Sequence, residues 1–447
     1  MNEFEGKKVL VLGLARSGLA AARLLKQLGA DVTVTESRPP EQIKEYEMLT
    51  AMGVRVLPQT AEVFEEDFYK VVKNPGINGN LWFVKRLRER GIPVITEIEL
   101  AFCVCAPQHF IGVTGTNGKT TTCSLLYEIL ARAFPGKAHL TGNIGVALCD
   151  TVLEYDLLHN AGHYIVLEIS NFQLLDIDKF RPQAAAVINL APDHIDFMGS
   201  EDNYYRSKCR IYENMTENDI FLKNADDPIL ADYTSRLPVR AKTVTFSTHG
   251  EADVWADEEN IYAFGERLME IKDVKIVGRH NIQNVLVAAG LALGVGAPAP
   301  DVAAAVGAFK GVEHRIEFVR EVNGVKYYND SKGTNVDATV TAVNAFRAPV
   351  ILLAGGYEKQ LSFEPLKALL PKIKQVIGYG ACGPRLIEEL TGGKGLLTPD
   401  LPAALDEAVK CACPGDVVLL SPTTSSFDQY SCFEERGDHF KSLVNNL

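Results

Sequence analysis

The chain has 447 residues, 47% hydrophobic and 23% charged, the make-up of a globular protein long enough for about three domains. Its formal net charge of −12 argues against a nucleic-acid surface, which needs clustered lysine and arginine to meet phosphates in bulk. No apolar run approaches membrane-spanning length, the opening Met1-Asn-Glu-Phe-Glu5 is no signal peptide, and nine cysteines without framework spacing read as reduced thiols of a cytosolic protein.

In chain order, Lys8-Val-Leu-Val-Leu12 reads as a strand and Gly13-Leu-Ala-Arg-Ser-Gly18 as a turn. A helical pattern runs through Leu28, and a second strand, Asp31–Thr35, ends at Glu36. This is a βαβ unit. The dinucleotide fingerprint wants glycine where Ala15 stands, and that methyl obstructs close approach of a pyrophosphate. A nucleotide over the turn is expected and NAD is disfavoured; a Rossmann-like scaffold with no ligand here stays open. Lys70–Ile77 reads as another strand ending in a turn at the same sheet edge. Ile92-Pro-Val-Ile95 then leads into Thr96–Ala101.

The apolar run His109–Val113 predicts a buried strand, and Cys123–Leu130 has helical apolar spacing. Between them lies Gly115-Thr-Asn-Gly-Lys-Thr-Thr121. Glycines let backbone N–H groups close around phosphates, the helix N-terminus adds positive potential, Lys119 adds charge, and the Thr120 hydroxyl can ligate Mg²⁺. The strict pattern wants glycine at Val113, yet the flanking strand and helix predict nucleoside triphosphate binding. Strands follow at Tyr164–Glu168 and Ala184–Asn189, and an amphipathic helix at Asn281–Leu293. A carboxylate ending a parallel strand beside a phosphate loop can reach magnesium, though a solvated strand-end Glu168 is equally compatible. His194, in Pro192-Asp-His-Ile-Asp196, follows the next strand. Lys208 lies in a helical pattern, and spacing alone reads it as a solvated lysine.

After Gly311-Val-Glu-His-Arg315 a third α/β segment has strands at Val325–Tyr328, Val350–Ala354, Gln375–Tyr379 and Asp416–Ser421. Polar clusters follow three of them: Asn329–Asn335, Gly355–Lys359 and Ser421–Gln429. Three such clusters on one small domain predict a binding face. Strands alternating with helices throughout imply an α/β fold with mainly parallel sheets.

Six motifs in this order resemble the Mur ligases, the ATP-dependent amide-forming enzymes of peptidoglycan precursor synthesis. They are Gly115–Thr121, Thr141-Gly-Asn-Ile-Gly145, Leu167-Glu-Ile-Ser-Asn-Phe-Gln-Leu174, Asp193-His-Ile-Asp196, Gly278-Arg-His-Asn281 and His314-Arg315. Within that family, Asn329–Asn335 and Ser421–Gln429 resemble the branch that adds D-glutamate to UDP-N-acetylmuramoyl-L-alanine. Three positions depart from the family pattern. Asn171 stands where a second serine is usual, Glu358 where aspartate is commoner, and Asn74 where serine is frequent.

The resemblance implies three domains. Residues 1–104 would be a Rossmann-like domain for the UDP-sugar, and 105–310 a central P-loop ATPase-like domain. Residues 311–447 would be a Rossmann-like domain that binds the amino acid and closes on ATP. ATP and two Mg²⁺ are the implied cofactors. Gly115, Thr116, Asn117, Gly118, Lys119, Thr120, Thr121, Asn281, Asn284, Arg315 and Asp330 would bind ATP. Thr120, Glu168, His194 and a carbamylated Lys208 would hold the metals, with Lys119, His194, Lys208 and Lys332 in catalysis. Leu14, Ala15, Arg16, Ser17, Glu36, Ser37, Arg38, Asn74, Pro75, Gly76 and Asn143 would take the UDP substrate. Lys332, Thr334, Lys359, Ser426 and Phe427 would take D-glutamate. A cytoplasmic enzyme acting on small-molecule substrates, without nucleic-acid or membrane partners and working as a monomer, is expected. Folylpolyglutamate synthetases share the central and final domains but lack a Rossmann-like domain before the phosphate loop. A P-loop switch or motor protein would need guanine-specificity or partner motifs absent from this sequence, and an NAD-dependent oxidoreductase would rest on Gly13-x-Ala-x-x-Gly18 alone.

Overall fold

A computed structural model describes residues 2–193 and 195–447; the candidate ligand His194 lies outside the described residues. The chain divides into two units, Met1–Ile271 with Gln283–Val306, and Lys272–Ile282 with Gly307–Leu447. Three α/β sheets organise it, two in the first unit and one in the second.

The first sheet comprises β1 (Lys8–Leu12), β2 (Asp31–Glu36), β3 (Arg55–Pro58), β4 (Lys70–Lys73) and β5 (Val94–Ile95). All its pairings are parallel and the order is β3-β2-β1-β4-β5. The unbroken apolar run of β1 follows from burial on both faces. Val9 and Val11 enter one core cluster, and Leu10 and Leu12 enter another. The strand order reverses direction between β1 and β4, so the crevice for a ligand opens at the carboxyl ends of those two strands.

The second sheet contains β6 (His109–Thr114), β7 (Ala138–Gly142), β8 (Tyr164–Glu168), β9 (Ala184–Val187), β10 (Ile220–Asn224), β11 (Lys242–Ser247), β12 (Val254–Ala256), β13 (Asn260–Ala263) and β14 (Glu266–Glu270). Its order is β14-β13-β12-β11-β10-β9-β6-β8-β7. β6 lies between β8 and β9, with Val113 in register with Glu168 and Thr114 with Val187. That register sets the phosphate loop beside the strand-end carboxylate. The antiparallel ribbon β12–β14 has no counterpart in the sequence reading. The predicted helix at 281–293 is observed as Arg279–Gly294.

The first two sheets share one core. Ile98, Leu100 and Ala101, from the helix Glu97–Val104, belong to the same cluster as Leu148, Cys149 and Val152. At that junction Glu97 is buried and accepts the backbone N–H of Cys149. Burial raises its pKa from 4.5 to about 7, against the pull of the Cys149 N–H. A carboxyl raised by folding contributes stability that is complete below its unfolded pKa and is lost as pH rises through the folded value. Between pH 5 and 8 the wild type is therefore expected to lose urea resistance. Glu97→Gln, which cannot titrate, should flatten that loss in part; a variant with the full wild-type slope would contradict the assignment.

The third sheet contains β15 (Glu317–Val322), β16 (Val325–Asn329), β17 (Val350–Gly355), β18 (Ile373–Tyr379), β19 (Leu396–Leu397) and β20 (Val417–Thr423), in the order β15-β16-β20-β17-β18-β19. Only β15 pairs antiparallel. All nine cysteines are free. No helix among the described residues is long and apolar enough to cross a membrane.

Candidate active site

The phosphate loop follows β6 and ends at the helix Lys119–Ala133, whose N-cap Gly118 is left-handed. Glycine is required there on two counts. Its φ is +85°, and a Cβ would lie 2.3 Å from Asn284 Oδ1. Asn284 also accepts the Thr122 hydroxyl at 3.2 Å, so this adenine-side candidate is packed onto the loop. The loop is braced from the segment that follows β9. Thr116 N–H donates to Asn189 O at 3.0 Å, Asn117 N–H to Asn189 Oδ1 at 2.9 Å, and the Thr116 hydroxyl to Ala191 O at 3.1 Å. Asn189 and Ala191 carry no site motif in the sequence, because bracing largely through the backbone carbonyls beyond a neighbouring strand leaves no local pattern. The Lys119 ammonium donates to Gly115 O and Thr116 O, each at 2.8 Å.

Two groups come to this loop from elsewhere, one from a strand end and one from a helix. Glu168 is buried; its Oε1 accepts the Asn143 amide at 2.8 Å, while Oε2 is buried without a hydrogen bond. A carboxylate oxygen left so is a hard donor suited to a divalent cation. Gly142 allows the approach, since a Cβ there would lie 2.5 Å from Glu168 O. Lys208 is not solvated. It is 1% exposed, its ammonium donates to Gly115 O at 2.9 Å, and it lies 4.6 Å from the Tyr204 ring centroid. Burial, then the nearby Lys119, hold its pKa well below the usual lysine range. The helix Glu201–Cys209 carries it inward, with Tyr204, Tyr205, Ser207 and Cys209 also buried.

At the switch point of the first sheet, Asn74 Nδ2 donates to Ser17 Oγ at 3.0 Å, joining the turns after β1 and β4. Gly18 packs on the turn so closely that a Cβ would lie 1.9 Å from Gly13 O. Glu36 is engaged by its own chain. It accepts Leu14 N–H and Ser37 N–H, each at 2.9 Å, and pairs with Arg38 at 3.1 Å. Burial opposes ionisation, but the Arg38 guanidinium, the N–H groups of Leu14 and Arg38 and the Ser37 hydroxyl bring its pKa down to about 2. The Arg16 guanidinium points at the second sheet, donating to Gly145 O at 2.5 Å, Asn143 O at 2.9 Å and Gly142 O at 3.2 Å.

In the second unit the three polar clusters follow β16, β20 and β17, which are adjacent, so they do form one face. Thr423 N–H donates to Gly333 O at 3.0 Å, Tyr357 N–H to Ser425 O at 2.9 Å, and Lys359 Nζ to Thr334 O at 3.2 Å. Lys332 lies over Phe433 at 5.9 Å, Ser426 is buried, and Phe427 is 67% exposed. Asp330 is buried, accepts the Ser421 hydroxyl at 2.7 Å and Ile316 N–H at 3.2 Å, and has its pKa raised by burial to about 7. Asn281 donates to Val277 O at 2.7 Å; burial, then Arg315, lower the pKa of neighbouring His280 to about 4. Beneath the face lies Arg436, fully buried, donating to Ser331 Oγ at 2.9 Å and Ser331 O at 2.8 Å. Its place in a helical pattern with other charges concealed that role in the sequence.

The Mur ligase middle domain matches residues 113–292, and the Mur ligase glutamate ligase domain matches residues 314–424. The chain belongs to the Mur ligase family. This Mur ligase is 40% identical over 453 residues to a UDP-N-acetylmuramoylalanine–D-glutamate ligase of Geobacillus kaustophilus (strain HTA426), covering 99% of this chain and 98% of the relative. It is 38% identical over 460 residues to the enzyme of the same name from Bacillus cereus (strain AH187), covering 100% and 99%. Among solved structures, the UDP-N-acetylmuramate–alanine ligase MurC of Thermotoga maritima aligns with a TM-score of 0.58 at 17% identity, over 98% of this Mur ligase and 99% of that chain. MurF ligase of Thermotoga maritima, solved in complex with ADP, aligns at 0.57 and 19% identity, over 100% and 97%. These likenesses establish a shared fold.

Proposed function

We propose that this chain joins UDP-N-acetylmuramoyl-L-alanine to D-glutamate through an amide bond, with hydrolysis of ATP to ADP and phosphate. The observation that carries the ATP-dependent step is the meeting of Lys119, buried Lys208 and the unpartnered Glu168 oxygen at one glycine loop. Full-length relatives named for this reaction support the choice of substrates. We assign residues 1–104 to the UDP substrate, 105–310 to ATP, and 311–447 to the amino acid.

A carboxylate at neutral pH does not accept an amine without activation. Its oxygen first takes the γ-phosphate of ATP, and ADP leaves. The D-glutamate amine then attacks the acyl carbon, loses a proton, and the tetrahedral intermediate expels phosphate. Lys119, turning from the carbonyls of its own loop, holds the phosphates, and the N–H groups of 115–121 cradle them. Asn281, Asn284, Arg315 and Asp330 belong to the ATP side. Thr120 and Glu168 would hold one Mg²⁺; His194 and Lys208 would hold a second. When bound, the ions supply positive charge where two anions approach. Leu14–Ser17, Glu36–Arg38, Asn74–Gly76 and Asn143 form the bed for the UDP substrate. Among these, Glu36 and Arg16 act by shaping the turn and fixing the 142–145 loop. Lys332, Thr334, Lys359, Ser426 and Phe427 line the D-glutamate pocket, where paired cations face two carboxylates.

The test is phosphate release with UDP-N-acetylmuramoyl-L-alanine, ATP and a panel of amino acids. D-Glutamate alone is expected to give full turnover. A pocket built to pair a second carboxylate disfavours an analogue lacking it by several kcal/mol, roughly a hundredfold or more in rate. Equal rates with D-alanine or L-lysine would overturn the assignment.

A further inference from the structure

The Asp176 carboxylate, on the second sheet's side of the first unit, is gripped from two directions. Lys73 Nζ pairs with Oδ2 at 3.2 Å and Arg88 Nη2 with Oδ1. The Asp176 carbonyl also accepts Thr96 N–H at 3.0 Å. The same two cations reach back along the segment that follows β4. Lys73 Nζ donates to Asn74 O at 3.3 Å and Ile77 O at 2.9 Å, and Arg88 Nη1 donates to Gly79 O at 3.2 Å. An ammonium has three N–H donors; two go to the carbonyls of Asn74 and Ile77, while its charge pairs with Asp176 Oδ2. One carboxylate thus fixes, through two side chains, three carbonyls of the stretch 74–79.

Stability alone does not account for this arrangement. The Lys73 and Asp176 side chains are 2% and 6% exposed, and desolvating such a pair costs about as much as its attraction returns, so an apolar pair of similar volume would serve as well. What an ion pair with fixed donors does supply is geometry. The segment it fixes begins with Asn74, whose amide meets Ser17 at the switch point between β1 and β4. A cavity of 750 Å³, lined by Lys73, Arg88, Asp176, Asn78 and Asn80, lies along the same segment.

We propose that Lys73, Arg88 and Asp176 form a clasp that sets the 74–79 segment against the nucleotide turn. They are positioning residues for the UDP-linked substrate, and for neither ATP nor the amino acid. This rests on the reading that Leu14–Ser17 and Asn74–Gly76 form the bed for that substrate. The test is steady-state kinetics of the full chain carrying Lys73→Met, Asp176→Asn or Arg88→Gln, with each of the three substrates varied in turn. Lys73→Met and Asp176→Asn are expected to raise KM for UDP-N-acetylmuramoyl-L-alanine at least about tenfold while kcat stays within about threefold, the pattern of lost ground-state positioning. KM for ATP and for D-glutamate should stay within about twofold. Arg88→Gln, at a side chain 43% exposed, should shift the same constant in the same direction by less, and it decides the matter if the buried variants do not fold. Folded variants with an unchanged KM for the UDP substrate, or with all three constants raised together, overturn the clasp. A wild type inactive with this substrate overturns the underlying functional reading instead.

Discussion

Lys119→Ala is expected to reduce turnover at least about a thousandfold, the scale seen when a charge or donor aimed at a transferring phosphoryl group is removed. The fold should survive. The Lys119 ammonium donates to the carbonyls of Gly115 and Thr116, in its own loop, and the loop keeps its bracing from Asn189 and Ala191. Alanine is also the best helix former at the first position of the helix Lys119–Ala133. Circular dichroism and thermal unfolding close to wild type, with phosphate release at background, is the expected pair of results. A well-folded variant with near-normal activity would remove Lys119 from the phosphates.

Lys208→Ala is expected to be nearly inactive and partly rescued by acetate or another short carboxylate, with Lys208→Arg inactive and not rescued. Carbon dioxide adds to a neutral amine, with loss of one proton, to leave an anionic carbamate. Burial and the neighbouring Lys119 already favour the neutral amine at Lys208. A carbamate there presents two oxygens on a long arm, which suits a hard cation better than an ammonium does. Arginine keeps a fixed positive charge and cannot take up carbon dioxide, so it also blocks the site to added carboxylate. Full activity of the alanine variant, or rescue of the arginine variant, would count against carbamylation. Phosphate release measured across acetate concentrations, with chloride as the ionic-strength control, separates these results.

Much of this architecture was legible from residue patterns. The apolar runs of β1, β6 and β8 predict strands where strands are found, and the glycine loop predicted for phosphates does lie between β6 and a helix N-terminus. The three polar clusters of the last segment predicted one face, and the order β16-β20-β17 places them side by side. The ribbon β12–β14 escaped notice because its strands are short and only partly buried, which blunts the alternation that marks a strand. Lys208 read as a surface lysine for a different reason. Helical spacing fixes which residues share a face, but which face meets the core depends on partners distant in sequence, here Gly115. The same limit hid Asn189, Arg436 and the engagement of Glu36 by its own turn. Such contacts are set by sheet order and register, which no local window contains.

The continuous core between the first two sheets bears on how such chains can be recombined. Ile98, Leu100 and Ala101 bury themselves against Leu148, Cys149 and Val152, and Glu99 accepts the N–H groups of Asp178, Lys179 and Phe180 at 3.0, 2.8 and 2.8 Å. A cut after residue 104 would therefore bare apolar surface on both pieces and strip the carboxylate from three amides at once. The segment before the phosphate loop is not an interchangeable cassette. A chimera that takes its first 104 residues from one relative must take the matching helix at 148–154 and the 176–180 turn from that same relative, or inherit a mismatched seam.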